Sequence, residues 1–292
     1  MKRRDFLKLA AASALLKSFP ESLYAKEPSV VATAEGKDYA AITKNVLAAV
    51  GGIQAFVKKG DTVLVKPNMG WDRRPDFAAT THPVVIKTIT EECLRVGAKK
   101  VKVFDNPCND MRRCYENSGI QAALRGMRDV EVKFMEDERY KNTKINGAFL
   151  KEWELYDEAL SANVIINTPI AKHHGLTRLT LGLKNMMGIT GGNRGYFHRN
   201  MEDALCDLHS FVKCQLTLID ATRILTDHGP QGGSLKDVKV LNKVIACADV
   251  VAADAFATTL FGLKPEEIST TVAAHKRGLG EINLGKVKVV KA

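Results

Sequence analysis

Short apolar runs alternate along this chain with amphipathic stretches of helical period. Residues 62–66, 163–167, 215–220 and 244–248 are nearly continuous runs of Val, Leu, Ile and Ala. That pattern predicts strands buried on both faces, as in a parallel sheet. Shorter runs at 29–33, 100–104, 130–135 and 287–290 predict further strands. Between them, Ile42, Val46, Leu47 and Val50 have helical spacing and stop at Gly51-Gly52, predicting a helix over 39–50. Val85, Ile86, Ile89, Cys93, Leu94 and Val96 form a second apolar stripe. Pro83 suits its first helical position, Thr81 or His82 its cap, and Gly97 its end. More helices are expected over 110–125, in two pieces around Ser118-Gly119, and over 153–160, 201–212, 254–260 and 265–277. The polar stretch 136–147 reads as a loop or a small hairpin.

The order strand, loop, helix, strand repeats, so the expected fold is α/β, a mostly parallel open sheet with helices on both faces. Ligands of such sheets gather beyond the carboxyl ends of the strands. Here those ends are polar: Lys66 and Asn68, Asp105 and Asn106, Asn167, Asp220, and Asp249. Just after Asn167 comes Thr168-Pro169-Ile170-Ala171-Lys172-His173-His174. Then follow Leu183-Lys184-Asn185-Met186-Met187-Gly188 and the loop Gly191-Gly192-Asn193-Arg194-Gly195, with His198 close behind. Lysines, an arginine fork and loop amides suit a small anionic ligand. A histidine adds a group that moves protons near neutral pH or ligates a metal. If 170–174 is extended, His173 and His174 face opposite ways and only one serves the site. Asp105, Asp220, Asp249 and Asp254 supply oxygen donors, and Asp220 with Asp249 is the candidate set for a divalent cation. Asp254 is equally suited to capping a helix.

Composition narrows the classes. With 292 residues, 45% hydrophobic and 26% charged, the chain has ample material for a full core. The net charge is +10, of which the first 25 residues carry +3. No run of five basic residues occurs, which gives no basis for a nucleic-acid partner. Neither a G-x-x-x-x-G-K-[ST] loop nor a G-x-G-x-x-G turn after a strand is present, so nucleotide-loop chemistry is unsupported. None of the six cysteines forms a C-x-x-C, which argues against an iron–sulfur cluster. Cys108 and Cys114 flank one polar loop and are open to three readings: a disulfide, a metal role or free thiols.

Lys2-Arg3-Arg4-Asp5-Phe6-Leu7-Lys8 resembles a twin-arginine export signal, with Lys2 where Ser or Thr is usual. The apolar stretch 9–16 is too short to span a bilayer, Pro20 breaks it, and Leu23-Tyr24-Ala25 offers a cleavage site. The resemblance implies a signal over 1–25, the twin-arginine translocase as a partner, and a periplasmic single domain over 26–292 without a transmembrane segment. Such substrates are exported folded, often with a cofactor in place.

The chain also resembles the family called domain of unknown function 362, from about Val30 to Gly262. The resemblance rests on Val65-Lys66-Pro67-Asn68, the Thr80–Pro83 helix opening, Phe104-Asp105-Asn106-Pro107 and Ile165-Ile166-Asn167-Thr168-Pro169. It continues through Lys172, His174, Leu183-Lys184-Asn185, Gly188, His198, Ile219-Asp220, Asp249 and Asp254. It favours His174 over His173. Some relatives carry an appended ferredoxin-like segment, whose cysteines this chain lacks. A more distant similarity is to the nickel-pincer lactate racemases, whose sites also combine lysines and histidines beside a Gly-rich segment.

Three functions follow as expectations. The first is an exported enzyme acting on a small anionic substrate or cofactor. In it, His174, Lys184, His198 and Asp105 are catalytic, and Lys66, Asn68, Lys172, Asn185 and Arg194 bind the ligand. The second is a periplasmic ligand-binding or cofactor-handling accessory. The third is an iron–sulfur or redox accessory that uses Cys108 and Cys114.

Overall fold

The computed structural model describes residues 28–292, so the twin-arginine segment lies outside the described residues. The strands are β1 (Val30–Glu35), β2 (Thr62–Pro67), β3 (Lys100–Val103), β4 (Val130–Val132), β5 (Tyr140–Lys144) and β6 (Glu152–Tyr156). They continue with β7 (Val164–Thr168), β8 (Ile170–His174), β9 (Arg178–Thr180), β10 (Leu216–Leu225), β11 (Val238–Cys247) and β12 (Lys288–Lys291). The main sheet runs β12-β1-β11-β10-β7-β2-β3-β4, and β8 and β9 attach beside the far half of β10. From β10 to β4 all neighbours are parallel, whereas β11 lies antiparallel between β1 and β10.

The apolar runs explain the layering. Val63, Val65, Val164 and Ile166 face one side, together with α1 (Tyr39–Ala49) and α2 (Pro83–Arg95). Leu64 and Ile165 face the other, under α7 (Met201–Phe211) and α9 (Ser269–Lys276). A strand with apolar side chains on both faces needs cover on both faces, which is the α/β arrangement expected. The helix predicted in two pieces forms α3 (Met111–Asn117) and α4 (Ile120–Leu124). Among the described residues no helix is long and apolar enough to cross a membrane.

The structure differs from the sequence expectation in four places. Residues 152–156 form a strand paired with β5, and only α5 (Asp157–Leu160) is helical, because alternation along 152–156 buries one face against a neighbour. Residues 170–174 and 178–180 are strands, the first set by pairing with β10 and the second by pairing with the first, rather than by their own composition. The last helix is shorter, with a 3-10 turn at Pro265–Glu267 ahead of α9. Finally, β11 runs antiparallel, which carries Asp249 to the opposite end of the sheet from Asp220. Asp249 there caps α8 (Val250–Thr258), accepting from the amides of Val251 and Ala252.

Candidate active site

The carboxyl ends of β2, β3 and β7, with β8 and the segments after β9, surround a cavity of about 600 Å³. Lys66, Asn68, Asp105, Lys172, His174, Lys184, Asn185, Arg194 and His198 all line it. Its floor is one continuous network. Lys66 Nζ lies 2.7 Å from Asp105 Oδ1 and donates to the Pro67 carbonyl at 2.8 Å and to Asn185 Oδ1 at 3.1 Å. Asn68 Nδ2 donates to the same Asn185 oxygen at 2.9 Å, and Asn185 Nδ2 donates to Asn167 Oδ1 at 2.8 Å. Lys172 Nζ donates to Asn68 Oδ1 at 3.0 Å and to the Ala79 carbonyl at 2.6 Å. Gly188 borders this floor, and a Cβ there would occupy the space of the Lys66 and Asp105 side chains. The Met69 amide donates to the other Asp105 oxygen at 2.6 Å.

Lys184 and Asn185 sit on the short helix α6 (Gly182–Asn185), which other elements hold in place. Asp254, inside α8, accepts from the amides of Gly182 and Leu183 at 2.7 and 2.9 Å. Asn167 Nδ2 donates to the Gly182 carbonyl, and His209 Nε2 donates to that of Leu183. Asp254 is therefore a cap, but for α6 rather than for its own helix. Burial pushes its carboxyl up to about 7, against the two amides that favour the anion.

The cavity is electropositive. Asp105 is the one carboxylate that lines it, and Lys66 neutralises that charge. Lys172, Lys184 and Arg194 stand without an acidic partner. Burial pulls the Lys172 amine down to about 7, with the charges of Lys66 and Lys184 adding to the shift. Burial, helped by Arg194, brings Lys184 down to about 8. Arg194 donates to the carbonyls of Asn106 and Pro107, both at 2.6 Å, so its fork fixes the loop after β3 to the Gly-rich segment.

The two cavity histidines are held in opposite tautomers. His174 Nδ1 accepts from the amides of Leu176 and Thr177, so its proton sits on Nε2. His198 Nδ1 faces the Gly195 carbonyl at 3.3 Å and must donate, which leaves Nε2 a lone pair. The rings lie 6.5 Å apart and are nearly parallel. Burial and the neighbouring Lys184 and Lys172 push His174 down to about 3, and burial with Lys184 lowers His198. Both are neutral near pH 7, one a hydrogen-bond donor and the other an acceptor. His173 points away and accepts from the Gly229 amide.

The aspartate pair expected to bind a metal is not assembled. Asp220 accepts from the amides of His82 and Thr222, bracing the start of α2, while Asp249 is at the other end of the sheet. Among the described residues no three His, Cys, Asp or Glu side chains converge as metal ligands. The cavity residues do not fit a divalent cation, nickel included, held by protein side chains alone. The cations repel it, the one acid is paired, and His174 Nε2 carries a proton. Of the three readings open for Cys108 and Cys114, the structure has the free thiols: Cys114 is buried and Cys108 is exposed on the cavity rim, 3.9 Å from Arg194. Among the lining residues, Trp71 and Thr180 went unforeseen in the sequence: Trp71 is in a loop without pattern, and Thr180 is on a strand that its own residues do not announce. The Thr180 hydroxyl is buried without a hydrogen-bond partner.

Comparison with known proteins follows the same outline. The fold is similar to the lactate racemase apoprotein of Thermoanaerobacterium thermosaccharolyticum, with a TM-score of 0.52 at 12% identity, over 78% of this chain. The match spans 56% of that racemase chain. The thylakoid-associated protein sll1697 of Synechocystis is 28% identical over 245 residues, covering 81% of this chain and 74% of the relative. The model of the family described as domain of unknown function (DUF362) matches residues 63–259, a span that holds every cavity residue named above, and the chain belongs to that family.

Proposed function

We propose that this protein is an enzyme acting on a small organic anion, substrate or cofactor, held in the cavity. The observation that carries the reading is the charge imbalance: Lys172, Lys184 and Arg194 line one cavity whose single carboxylate is already paired. Burying cations without counterions costs free energy, and a bound anion removes that cost. In this reading Lys172 and the Nε2–H of His174 hold the anion, and Lys184 places a further amine beside it. His198 Nε2 accepts a proton, and the Lys66–Asp105 pair with Asn68 and Asn185 keeps the floor rigid.

Calorimetric titration of the full chain with oxalate tests the binding step. Oxalate should bind, and Lys172→Met should weaken it roughly thirty-fold, the loss of a charge-assisted hydrogen bond. No heat with oxalate, or equal affinity in the variant, would overturn the reading. Native mass spectrometry then separates an enzyme, which converts its retained anion, from an accessory, which releases it unchanged.

The export reading is part of the proposal. The Arg3-Arg4 pair would send the folded protein to the periplasm. Replacing both arginines with lysine should leave the protein in the cytoplasmic fraction, and unchanged fractionation would refute it.

A further inference from the structure

The three cavity lysines form a graded series. Lys66 faces three oxygen acceptors, enough for all three ammonium hydrogens. Lys172 has two, which leaves one hydrogen or lone pair to the cavity. Lys184 has no oxygen acceptor; its one polar contact is the thioether of Met187, at 3.4 Å. An ammonium enclosed against sulfur, with Arg194 nearby, is poorly stabilised, so the free amine is favoured. The short helix bearing it is pinned by Asp254, Asn167 and His209, so this amine is placed rather than loose.

We propose that Lys184 is a nucleophilic amine that forms a Schiff base with a carbonyl-bearing carboxylate, a 2-oxo acid, in this cavity. The inference rests on the anion-binding reading and names the class of anion. Lys172 and His174 hold the carboxylate, which leaves the adjacent carbonyl carbon for Lys184 Nζ. The nitrogen lone pair attacks that carbon, the C–N bond forms, and the carbonyl pair moves to oxygen, which takes up a proton. A proton leaves the nitrogen for His198 Nε2 and returns to the hydroxyl, which departs as water when the C=N bond forms. Amine, carbonyl and the one proton drawn from solvent onto the oxygen give the protonated imine plus water, with no oxidant or reductant. A desolvated lysine beside another cation is the recognised way of activating this nucleophile.

The test is reductive trapping on the full chain with pyruvate and sodium cyanoborohydride, followed by peptide mapping. The amine lies near 8 rather than the usual lysine value, so its neutral fraction at pH 7.5 is on the order of a hundred-fold larger than at surface lysines. Lower intrinsic nucleophilicity offsets part of that, and labelling of Lys184 should exceed that of exposed lysines by at least about ten-fold. Lys184→Arg, which keeps the charge, should lose the adduct at an unchanged melting temperature; Lys184→Gln serves if the arginine does not fold. Labelling spread over lysines according to exposure, or concentrated on Lys172, overturns the proposal. Oxalate binding without pyruvate trapping overturns it while the anion reading stands. Absence of oxalate binding removes the anion reading itself.

Discussion

Two of the clusters that bury charge among the described residues do so in opposite ways. Glu158, on α5, is nearly fully buried and contacts Lys102 at 2.6 Å, with Lys133 and Arg139 also bridging to it. Burial alone would raise its carboxyl, yet Lys102 and Lys133 hold it below the usual range. All three cations keep part of their surface in water, so the cluster is satisfied from within and outside. The cavity reverses this arrangement. Its cations are the buried partners, and the carboxylate that would balance Lys172 and Lys184 is absent from the lining. A charge cluster that serves the fold closes its own circuit, whereas one that serves a ligand leaves it open.

The largest effect that would sharpen this contrast is at the closed cluster. Glu158→Gln keeps the shape but removes the carboxylate that Lys102, Lys133 and Arg139 share, leaving Arg139 its bridge to Asp157. Urea unfolding should show a loss of about 3 kcal/mol, the low end for a broken buried pair because the cations are partly exposed. Oxalate affinity should be unchanged, and a parallel loss of affinity would erase the distinction between the clusters.

A smaller effect is expected from pH at the open cluster. Lys172 titrates near 7 when folded and near 10.5 when unfolded. Between those values the unfolded chain binds more protons, so stability of the ligand-free protein rises with pH. From pH 7 to 9 this residue contributes about 2 kcal/mol of that rise. Lys172→Met should flatten the slope, and saturating oxalate, which favours the ammonium, should do so in the wild type. A slope identical in wild type and variant would show that Lys172 is not a buried cation lacking a partner.

The contrast also separates what pattern reveals from what packing reveals. The strands at 62–66 and 163–167 were legible because both faces are covered, which writes a continuous apolar run. The strand at 170–174 was not, because Lys172 and His174 turn into the cavity and interrupt that run. The helix expected over 153–160 failed for a related reason. Trp153 and Leu155 belong to a two-stranded unit, whose alternation five residues cannot distinguish from a helix stripe.

At the site, residue types at strand ends singled out eight of the nine side chains that converge on the cavity, since lysines, histidines and amides there have few structural uses, and the family resemblance chose His174 over His173. Strand direction defeated the aspartate pair. Asp220 and Asp249 both follow apolar runs, but a run has no sign, and the antiparallel β11 set them at opposite ends of the sheet. Nor could sequence show that Lys66 is closed by three acceptors while Lys184 has none, since the Lys66 partners come from the adjacent Pro67 and from Asp105 and Asn185 on other elements, and Lys184 meets only Met187 just after α6. The sequence determined the layers, the family and the chemical inventory, because period and residue type are local properties. Strand direction and the open charge of the cavity are properties of neighbours in space, and the tertiary structure alone decided them.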